Sequence, residues 1–151
     1  MIRIFRGIPG SGKSWQVTNW TRKSQVVVCS ADNFFTDVFG KYNYDPKRIG
    51  LAHAWCFRNF LNALNAPIPS ENIAVDNTNI AAWEIAPYVA VANTYEIECE
   101  IVTVLCPFEI AVACNVHKVP SEIVWDMHRR LQTETLPPFW KHTVIQPERK
   151  S

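Results

Sequence analysis

Three of the chain's five glycines fall within eight residues near its start. They belong to the segment Gly7-Ile8-Pro9-Gly10-Ser11-Gly12-Lys13-Ser14, which matches the pattern G-x-x-x-x-G-K-[ST] of a phosphate-binding loop, the P-loop. Glycine at such positions lets the backbone turn tightly, so that successive N–H groups point at phosphate oxygens. Residues 2–5 before the loop form a short, mainly apolar run, and residues 15–22 after it can continue as a helix. The segment therefore predicts a nucleotide-binding site.

The end of this loop carries the groups that handle a nucleotide. In loops of this pattern the lysine, here Lys13, reaches the β- and γ-phosphates, and the hydroxyl of Ser14 holds Mg²⁺. A helix that begins near Lys13 adds the positive end of its dipole. We expect ATP and Mg²⁺ as cofactors, held by Gly7, Pro9, Gly10, Ser11, Gly12, Lys13 and Ser14. No other metal is expected, because Cys106, Cys114 and His117 lack a fourth ligand at zinc spacing.

Composition and charge fit one globular domain. The chain has 151 residues, 19% of them charged, and a formal net charge of +1. A net charge near zero argues against non-specific nucleic-acid binding over the whole surface. The charge is uneven: residues 1–60 hold nine Lys and Arg and three Asp, whereas residues 61–110 hold seven acidic residues and no Lys or Arg. The basic half permits one local anion-binding face.

Nothing in the sequence indicates export or a membrane. No apolar run approaches the roughly 20 residues of a membrane helix, and the N-terminus enters structure without an apolar leader. The five cysteines contain no Cys-x-x-Cys pair, which suits reduced thiols. We expect a cytoplasmic protein, in the host cytoplasm if it is viral, and oligomerisation stays open.

Strand-like and helix-like segments alternate along the chain. Apolar runs predict strands over residues 2–5, 25–29, 72–75 and 95–105, and helical spacing or helix-starting prolines predict helices over residues 15–22, 46–64, 83–93, 107–115 and 120–133. This alternation is typical of an α/β fold. We expect a three-layer domain of P-loop NTPase type, with a mainly parallel sheet and helices on both faces. The domain is expected over residues 1–134, with a tail, residues 135–151, that packs on it or frays.

Two aspartates follow predicted strands, at the carboxyl ends where parallel sheets bind ligands. Asp32 follows the second strand and is the candidate general base, which would take the proton of an acceptor hydroxyl; a helix N-cap for residues 33–39 is the alternative. Asp76 follows the third strand, as in a Walker-B arrangement that supports Mg²⁺; a turn formed by Asp76 and Asn77 is the alternative. We expect both aspartates and the P-loop to meet in one crevice.

Three segments resemble a known family. They are the P-loop, residues 30–35 (Ser-Ala-Asp-Asn-Phe-Phe) and residues 76–88 (Asp-Asn-Thr-Asn-Ile-Ala-Ala-Trp-Glu-Ile-Ala-Pro-Tyr). Over about residues 2–133 the chain is similar to the P-loop kinase domain of bacteriophage polynucleotide kinases and NEDD4-binding-protein-2-like proteins. The resemblance implies ATP-dependent phosphorylation of a 5′-hydroxyl end of DNA or RNA, with Asp32 as the general base. It also implies that Asp76 and Thr78 orient the acceptor or the metal shell.

This chain departs from the family's usual pattern in the lid, the segment that closes over the transferring phosphoryl group. Arginines usually stand at the positions that Ala113 and Cys114 occupy in this chain. A lid cation stabilises charge on the transferring phosphoryl group, and its loss can reduce the rate by about 10³-fold or more. We expect Lys118 or Arg129 to supply that charge.

Two smaller expectations follow from the same region. Arg130 is the weaker lid candidate, because Asp126 stands four residues earlier on the same helix and offers a surface ion pair. The chain carries no Asp-x-Asp phosphatase signature. We therefore expect no 3′-phosphatase activity of the kind found beside some phage kinases.

Residues 34–48 interleave aromatic and basic side chains, which are Phe34, Phe35, Phe39, Lys41, Tyr42, Tyr44, Lys47 and Arg48. Single-stranded ends are held by cations on phosphates and by aromatic stacking on bases. We therefore expect Lys47, Arg48 and Phe35 to bind a single-stranded or end-frayed nucleic acid with a 5′-hydroxyl. The alternative is that two or three of these rings belong to the core. A small-molecule kinase (for a nucleoside, sugar or antibiotic) and a non-catalytic ATP-binding module stay open as other functions.

Overall fold

A parallel five-stranded sheet forms the centre of the chain in the computed structural model, which describes residues 1–147. Its strands are β1 (Ile2–Arg6), β2 (Val27–Cys29), β3 (Ile73–Asp76), β4 (Cys99–Val104) and β5 (His142–Ile145). They lie in the order β2-β3-β1-β4-β5, and every neighbouring pair is parallel. The carboxyl ends of all these strands therefore meet at one edge, where the P-loop leaves the central strand β1.

Helices cover both faces of this sheet. They are α1 (Lys13–Thr21), α2 (Ile49–Leu64), α3 (Ala82–Thr94), α4 (Phe108–Ala113) and α5 (Ser121–Thr133). Successive strand side chains point to opposite faces, so Ile2 and Ile4 pack with the core residues of α2 and α3, whereas Phe5 packs with Val17 of α1. The predicted three-layer α/β architecture is confirmed. Within residues 1–147, none of the helices is both long and apolar enough to cross a membrane.

The two edge strands differ from the sequence expectation. β5 lies inside the segment expected to be a packing or fraying tail, and it pairs in parallel with β4, with His142 opposite Ile101. Residues 148–151 of that tail lie outside the described residues. At the other edge, β2 has three residues, and Val27 and Val28 are more than a third exposed, although their apolar run suggested a buried strand. An edge strand has one neighbour only, so its sequence pattern is a weak guide to burial.

The fourth strand is shorter than predicted. β4 begins at Cys99 rather than at residue 95, because α3 runs on to Thr94 and a turn then connects the two. Glu96 lies in that turn with a positive φ of 55°. Two later acidic side chains contact the β5 region: Glu98, just before β4, pairs with Lys141, and Glu100 of β4 accepts a hydrogen bond from Thr143 of β5.

Candidate active site

The P-loop packs tightly against the backbone of two neighbouring elements. Gly10 has a φ of 80°, and a Cβ at this position would lie 2.0 Å from the carbonyl oxygen of Ala111 in α4. A Cβ on Gly7 would lie 2.7 Å from the Val104 carbonyl oxygen and 2.8 Å from Ser11 Oγ. Such distances are shorter than any packing contact, so both positions require glycine. The two glycines thereby let the loop pack directly on the backbone of α4 and β4.

Two polar groups of this loop suit an anionic ligand. Ser11 Oγ is buried and has no hydrogen-bond partner among the described residues. Lys13 is 8% exposed, and its Nζ donates to the Ile8 carbonyl oxygen at 3.0 Å. Burial lowers the pKa of Lys13, an effect that the charges of Asp76 and Asp32 oppose. A buried cation and an unpaired hydroxyl beside a tight backbone turn are groups that phosphate oxygens satisfy. The loop therefore fits the phosphates of ATP.

A hydroxyl and a carboxylate meet beside the loop. Ser14 lies in the first turn of α1, which begins directly after Gly12, and its Oγ donates to Asp76 Oδ2 at 3.0 Å. Asp76 ends β3 opposite Phe5 of β1, so the sheet register places it beside the P-loop. Burial raises the pKa of Asp76, while Lys13 and the Ser14 hydroxyl oppose that rise. Hydroxyl and carboxylate oxygens are ligands that Mg²⁺ prefers, so this pair fits the expected ion.

The polar residues after Asp76 tie the loops of the site together. The Asn77 side chain accepts a hydrogen bond from the backbone N–H of Ala31 at 2.8 Å, next to Asp32. The carbonyl oxygen of Thr78 accepts from the N–H of Gly7 at 3.0 Å. Asp76 ends β3, and the chain bends at Asn77 directly after it. For Thr78, the bond to the P-loop is a backbone bond, and its side-chain role toward an acceptor remains a prediction.

A buried arginine, which sequence reasoning did not single out, braces the same edge. Arg6 is 3% exposed, and its Nη2 donates to the Ile80 carbonyl oxygen at 2.7 Å. Its Nε donates to the carbonyl oxygens of Asn79 and Ile80, and Asn79 Nδ2 donates back to the Phe5 carbonyl oxygen at 2.8 Å. Burial lowers the pKa of Arg6. These bonds lock the residues after β3 onto β1, so the P-loop and Asp76 keep their relative positions.

Asp32 presents a half-exposed carboxylate to the crevice. It lies in the 3-10 turn Ala31–Phe35, and its side chain is 52% exposed. Oδ1 accepts a hydrogen bond from the Tyr42 hydroxyl at 3.2 Å, and Oδ2 lies 3.5 Å from Nε2 of His117. The alternative of an N-cap for residues 33–39 is wrong, because the turn has ended by Thr36 and Ser30 occupies its N-cap position. The side chain is therefore available for other chemistry.

Electrostatics link the charged groups of the crevice. The carboxylates of Asp76 and Asp32 both act to raise the pKa of Lys13. Asp32 acts to raise the pKa of Asp76, and His117 acts to lower it. The same groups meet in space: Lys13 follows β1, Asp32 follows β2 and Asp76 ends β3, all at the carboxyl edge of the sheet, and His117 lies against Asp32. Sequence reasoning considered His117 only as a zinc ligand, since its approach to Asp32 comes from long-range folding that leaves no local signal.

The predicted acceptor residues are placed differently from one another. Phe35 is 5% exposed and packs in the core against the rings of Tyr42 and Tyr44, so the expectation that it stacks on a base is wrong. The Arg48 guanidinium lies 4.8 Å over the ring of Phe34. Lys47 is exposed and adjoins it on the 3-10 turn Pro46–Arg48.

Exposed rings lie near these cations. Phe39 is 92% exposed and Tyr44 is 53% exposed. Both belong to the segment of residues 36–44, in which Thr36 pairs with Tyr42 as an antiparallel bridge. This segment, which we call the acceptor loop after its predicted role, carries exposed aromatic rings, whereas Phe35 is buried.

The two candidate lid cations also differ. Lys118 is exposed in the connection between α4 and α5, has a φ of 52°, and forms no ion pair within residues 1–147. Arg129 is engaged instead: its Nη2 donates to Asp126 Oδ1 at 3.1 Å. The expectation that Arg130 would take this partner is wrong, because the pair forms at a spacing of three residues rather than four.

A family model described as an AAA domain matches residues 2–133 of the chain. The chain belongs to this AAA domain family. Human NEDD4-binding protein 2 is 36% identical to it over 97 residues, which cover 64% of the chain and 5% of that protein. The AAA domain described here thus spans a small part of the length of that relative. The resemblance found from the motifs is confirmed.

Solved structures share the fold of this AAA domain. A chain of the Pnkp1/Rnl/Hen1 RNA repair complex superposes with a TM-score of 0.63 at 22% identity, covering 87% of this chain and 43% of that one. A sugar kinase from Janibacter superposes with a TM-score of 0.59 at 18% identity, covering 96% of this chain and 84% of that one. At such identities the likeness establishes the fold alone.

Proposed function

We propose that this AAA domain is an ATP-dependent kinase that transfers the γ-phosphoryl group of ATP to the 5′-hydroxyl end of DNA or RNA. The observation that carries the proposal is the position of Asp32. Its half-exposed carboxylate is coupled electrostatically to Lys13 and Asp76. It also touches Tyr42, at the end of an acceptor loop that carries exposed rings. A carboxylate between a phosphate site and an acceptor surface is what hydroxyl phosphorylation requires.

Each group in the crevice has a distinct part in this reaction. The P-loop backbone, with Lys13 and the Ser11 hydroxyl, holds the phosphates of ATP. Ser14 and Asp76 would hold Mg²⁺, which would neutralise charge on the β- and γ-phosphates. The oxygen of the 5′-hydroxyl bonds to the γ-phosphorus, and Asp32 accepts the proton of that hydroxyl. The bond between the γ-phosphorus and the β–γ bridging oxygen breaks, and ADP leaves.

The acceptor would lie along residues 34–48. Lys47 and Arg48 offer charge to its phosphates, and Phe39 and Tyr44 offer exposed rings to its bases. The fold likeness to a chain of an RNA repair complex supports a nucleic-acid acceptor. Thr78, beside Asp76, is a further contact for the acceptor end. Lys118, which has no ion pair among the described residues, is the better source of the lid charge.

A small-molecule kinase is the second candidate, and the likeness to a sugar kinase that this chain nearly matches in length favours it. Such an enzyme would use the same Asp32 on a smaller hydroxyl acceptor. The acceptor loop would then have no role in recognition.

A comparison of acceptors distinguishes these functions. Labelled phosphate transfer from ATP and Mg²⁺ is measured for a 5′-hydroxyl oligonucleotide, the same oligonucleotide with a 5′-phosphate, a nucleoside and a simple sugar. We expect transfer to the first alone. Charge reversal at Lys47 and Arg48 should raise KM for the oligonucleotide and leave KM for ATP unchanged, whereas the exposed Lys23→Glu serves as control. Equal changes in both KM values, or preference for a small acceptor, would contradict the proposal; ATP binding without transfer would indicate a non-catalytic module.

A further inference from the structure

His117 reaches from residues 114–120, which we call the lid segment, to Asp32 in the crevice. It lies in the connection between α4 and α5, and its Nε2 is 3.5 Å from Asp32 Oδ2. Its ring stacks on Tyr42, with centroids 4.1 Å apart and an interplanar angle of 29°. One side chain therefore joins the lid segment to both the carboxylate and the acceptor loop.

Tyr42 completes a bracket around the carboxylate. Its hydroxyl donates to Asp32 Oδ1 at 3.2 Å, so each carboxylate oxygen faces a different side chain. Burial, and then the charge of Asp32, raises the pKa of Tyr42, which keeps the hydroxyl protonated as the donor. The Tyr42 ring lies nearly parallel to that of Tyr44, at 13°. We call Asp32, Tyr42 and His117 the carboxylate bracket.

The bracket adds little to the stability of the fold. Asp32 is 52% exposed and His117 is 39% exposed, and exposed ion pairs contribute little because water screens them. Fixing a reacting carboxylate is a different matter, since a displacement of about 1 Å can reduce a rate by about 10²-fold. The contacts of Tyr42 and His117 therefore matter for the orientation of the Asp32 carboxylate rather than for the stability of the fold.

We propose that His117 is a positioning residue, which holds Asp32 toward the acceptor hydroxyl and couples the seating of the lid segment to that orientation. This rests on the proposed function, in which Asp32 is the general base. The two bracket contacts leave room for the acceptor, because a carboxylate has about four lone-pair sites. The Tyr42 hydroxyl engages one of them on Oδ1, His117 Nε2 approaches Oδ2 at 3.5 Å, and the hydroxyl proton passes to a remaining one.

Three substitutions separate the two contacts of His117. His117→Phe keeps a ring for stacking on Tyr42 and loses the nitrogen, His117→Gln keeps a polar donor and loses the ring, and His117→Ala loses both. Val116→Ala is the control, since this neighbour in the same segment is 84% exposed. Melting temperature and equilibrium ATP affinity are measured for each variant before kinetics.

We expect His117→Phe and His117→Ala to lower kcat for the oligonucleotide by about 10²-fold. His117→Gln should lose less, and all three should keep the ATP affinity and melting temperature of the wild type. Wild-type kcat in His117→Ala overturns the proposal, and so does full activity in His117→Phe, because stacking alone would then suffice.

A second readout does not depend on activity. The NMR signals of the His117 ring should shift when Tyr42→Leu removes the stacked ring, and again when Asp32→Asn removes the charge. An unmoved His117 signal in both variants overturns the bracket even in an active kinase. Absence of transfer by the wild type to every acceptor instead refutes the proposed function, and the role of His117 falls with it.

Discussion

Replacing Gly10 with alanine tests the packing that shapes the phosphate site. A Cβ there would lie 2.0 Å from the Ala111 carbonyl oxygen and 2.9 Å from its carbonyl carbon. Both atoms belong to backbone, so no side-chain rotation relieves the contact. Gly40 provides a matched control, because it has the same φ of 80° and a Cβ there would meet no other atom within 4 Å.

The two substitutions share one energetic contribution and differ in another. A non-glycine residue in the left-handed region costs about 1–2 kcal/mol, which applies to both Gly10→Ala and Gly40→Ala. Overpacking adds about 1–3 kcal/mol at Gly10 only. For a chain of this size each kcal/mol lowers Tm by about 2–4 °C. Gly10→Ala should therefore melt on the order of 6 °C below Gly40→Ala.

The affinity for ATP should also differ between Gly10→Ala and Gly40→Ala. The loop or α4 must move to admit the methyl group of Gly10→Ala, which disturbs the N–H groups that face the phosphates. Loss of one hydrogen bond to a charged group is about 1.5–3 kcal/mol, or about tenfold or more in affinity. Thermal melts and calorimetric ATP titrations measure both effects. Equal melting of the two variants, with wild-type ATP affinity in Gly10→Ala, would refute the close contact between the P-loop and α4.

Four further substitutions have defined outcomes. Arg6→Met should lower the free energy of unfolding by about 2–4 kcal/mol, since it leaves the buried carbonyl oxygen of Ile80 without its charged donor; urea denaturation measures it. Asp76→Asn should stabilise the fold at neutral pH while weakening Mg²⁺-dependent ATP binding. Burial raises the pKa of Asp76 above the ordinary aspartate value of 3.8, so the wild type loses stability as the pH rises above 3.8. Urea denaturation at several pH values should show that Asp76→Asn is no more stable than the wild type below pH 3.8. Lys118→Ala should reduce kcat by about 10³-fold, whereas Arg129→Ala should leave turnover intact; full turnover in both would exclude each as the lid cation.

Local motifs predicted where the P-loop and Asp76 lie in the fold. The P-loop pattern specifies its own backbone turn, and residues 2–5 with the helix behind them fix where it sits. Asp76 was placed beside the loop because the carboxyl ends of parallel strands share an edge. In both cases the chemistry depends on neighbours in sequence and on one general property of the sheet.

The acceptor side depends on long-range packing and was predicted less well. Phe35 and Phe39 are both aromatic residues of one segment, yet the first is 5% exposed and the second 92% exposed. Nothing local distinguishes them, since burial of Phe35 follows from α2 closing over its turn. His117 likewise meets Asp32 only because α4 and α5 fold across the sheet edge.

The sheet edges were predicted poorly for a related reason. β5 was not predicted because its residues, 142–145, follow a proline-containing stretch and are mostly exposed. Residues 142–145 form a strand because they pair with β4. Asp126 pairs with Arg129 rather than Arg130, and the sequence could not decide this because spacings of three and four residues both allow helical ion pairs.

The central claim is that Asp32 activates a 5′-hydroxyl end for attack on ATP. The most direct measurement is transfer of γ-labelled phosphate from ATP and Mg²⁺ to a 5′-hydroxyl oligonucleotide by the wild type, Asp32→Asn and the control Asp126→Asn, which removes an exposed carboxylate on α5. We expect transfer by the wild type and the control, and a loss of about 10²–10⁴-fold in Asp32→Asn with unchanged ATP affinity. Undiminished transfer by Asp32→Asn, or none by the wild type while ATP still binds, would contradict the claim.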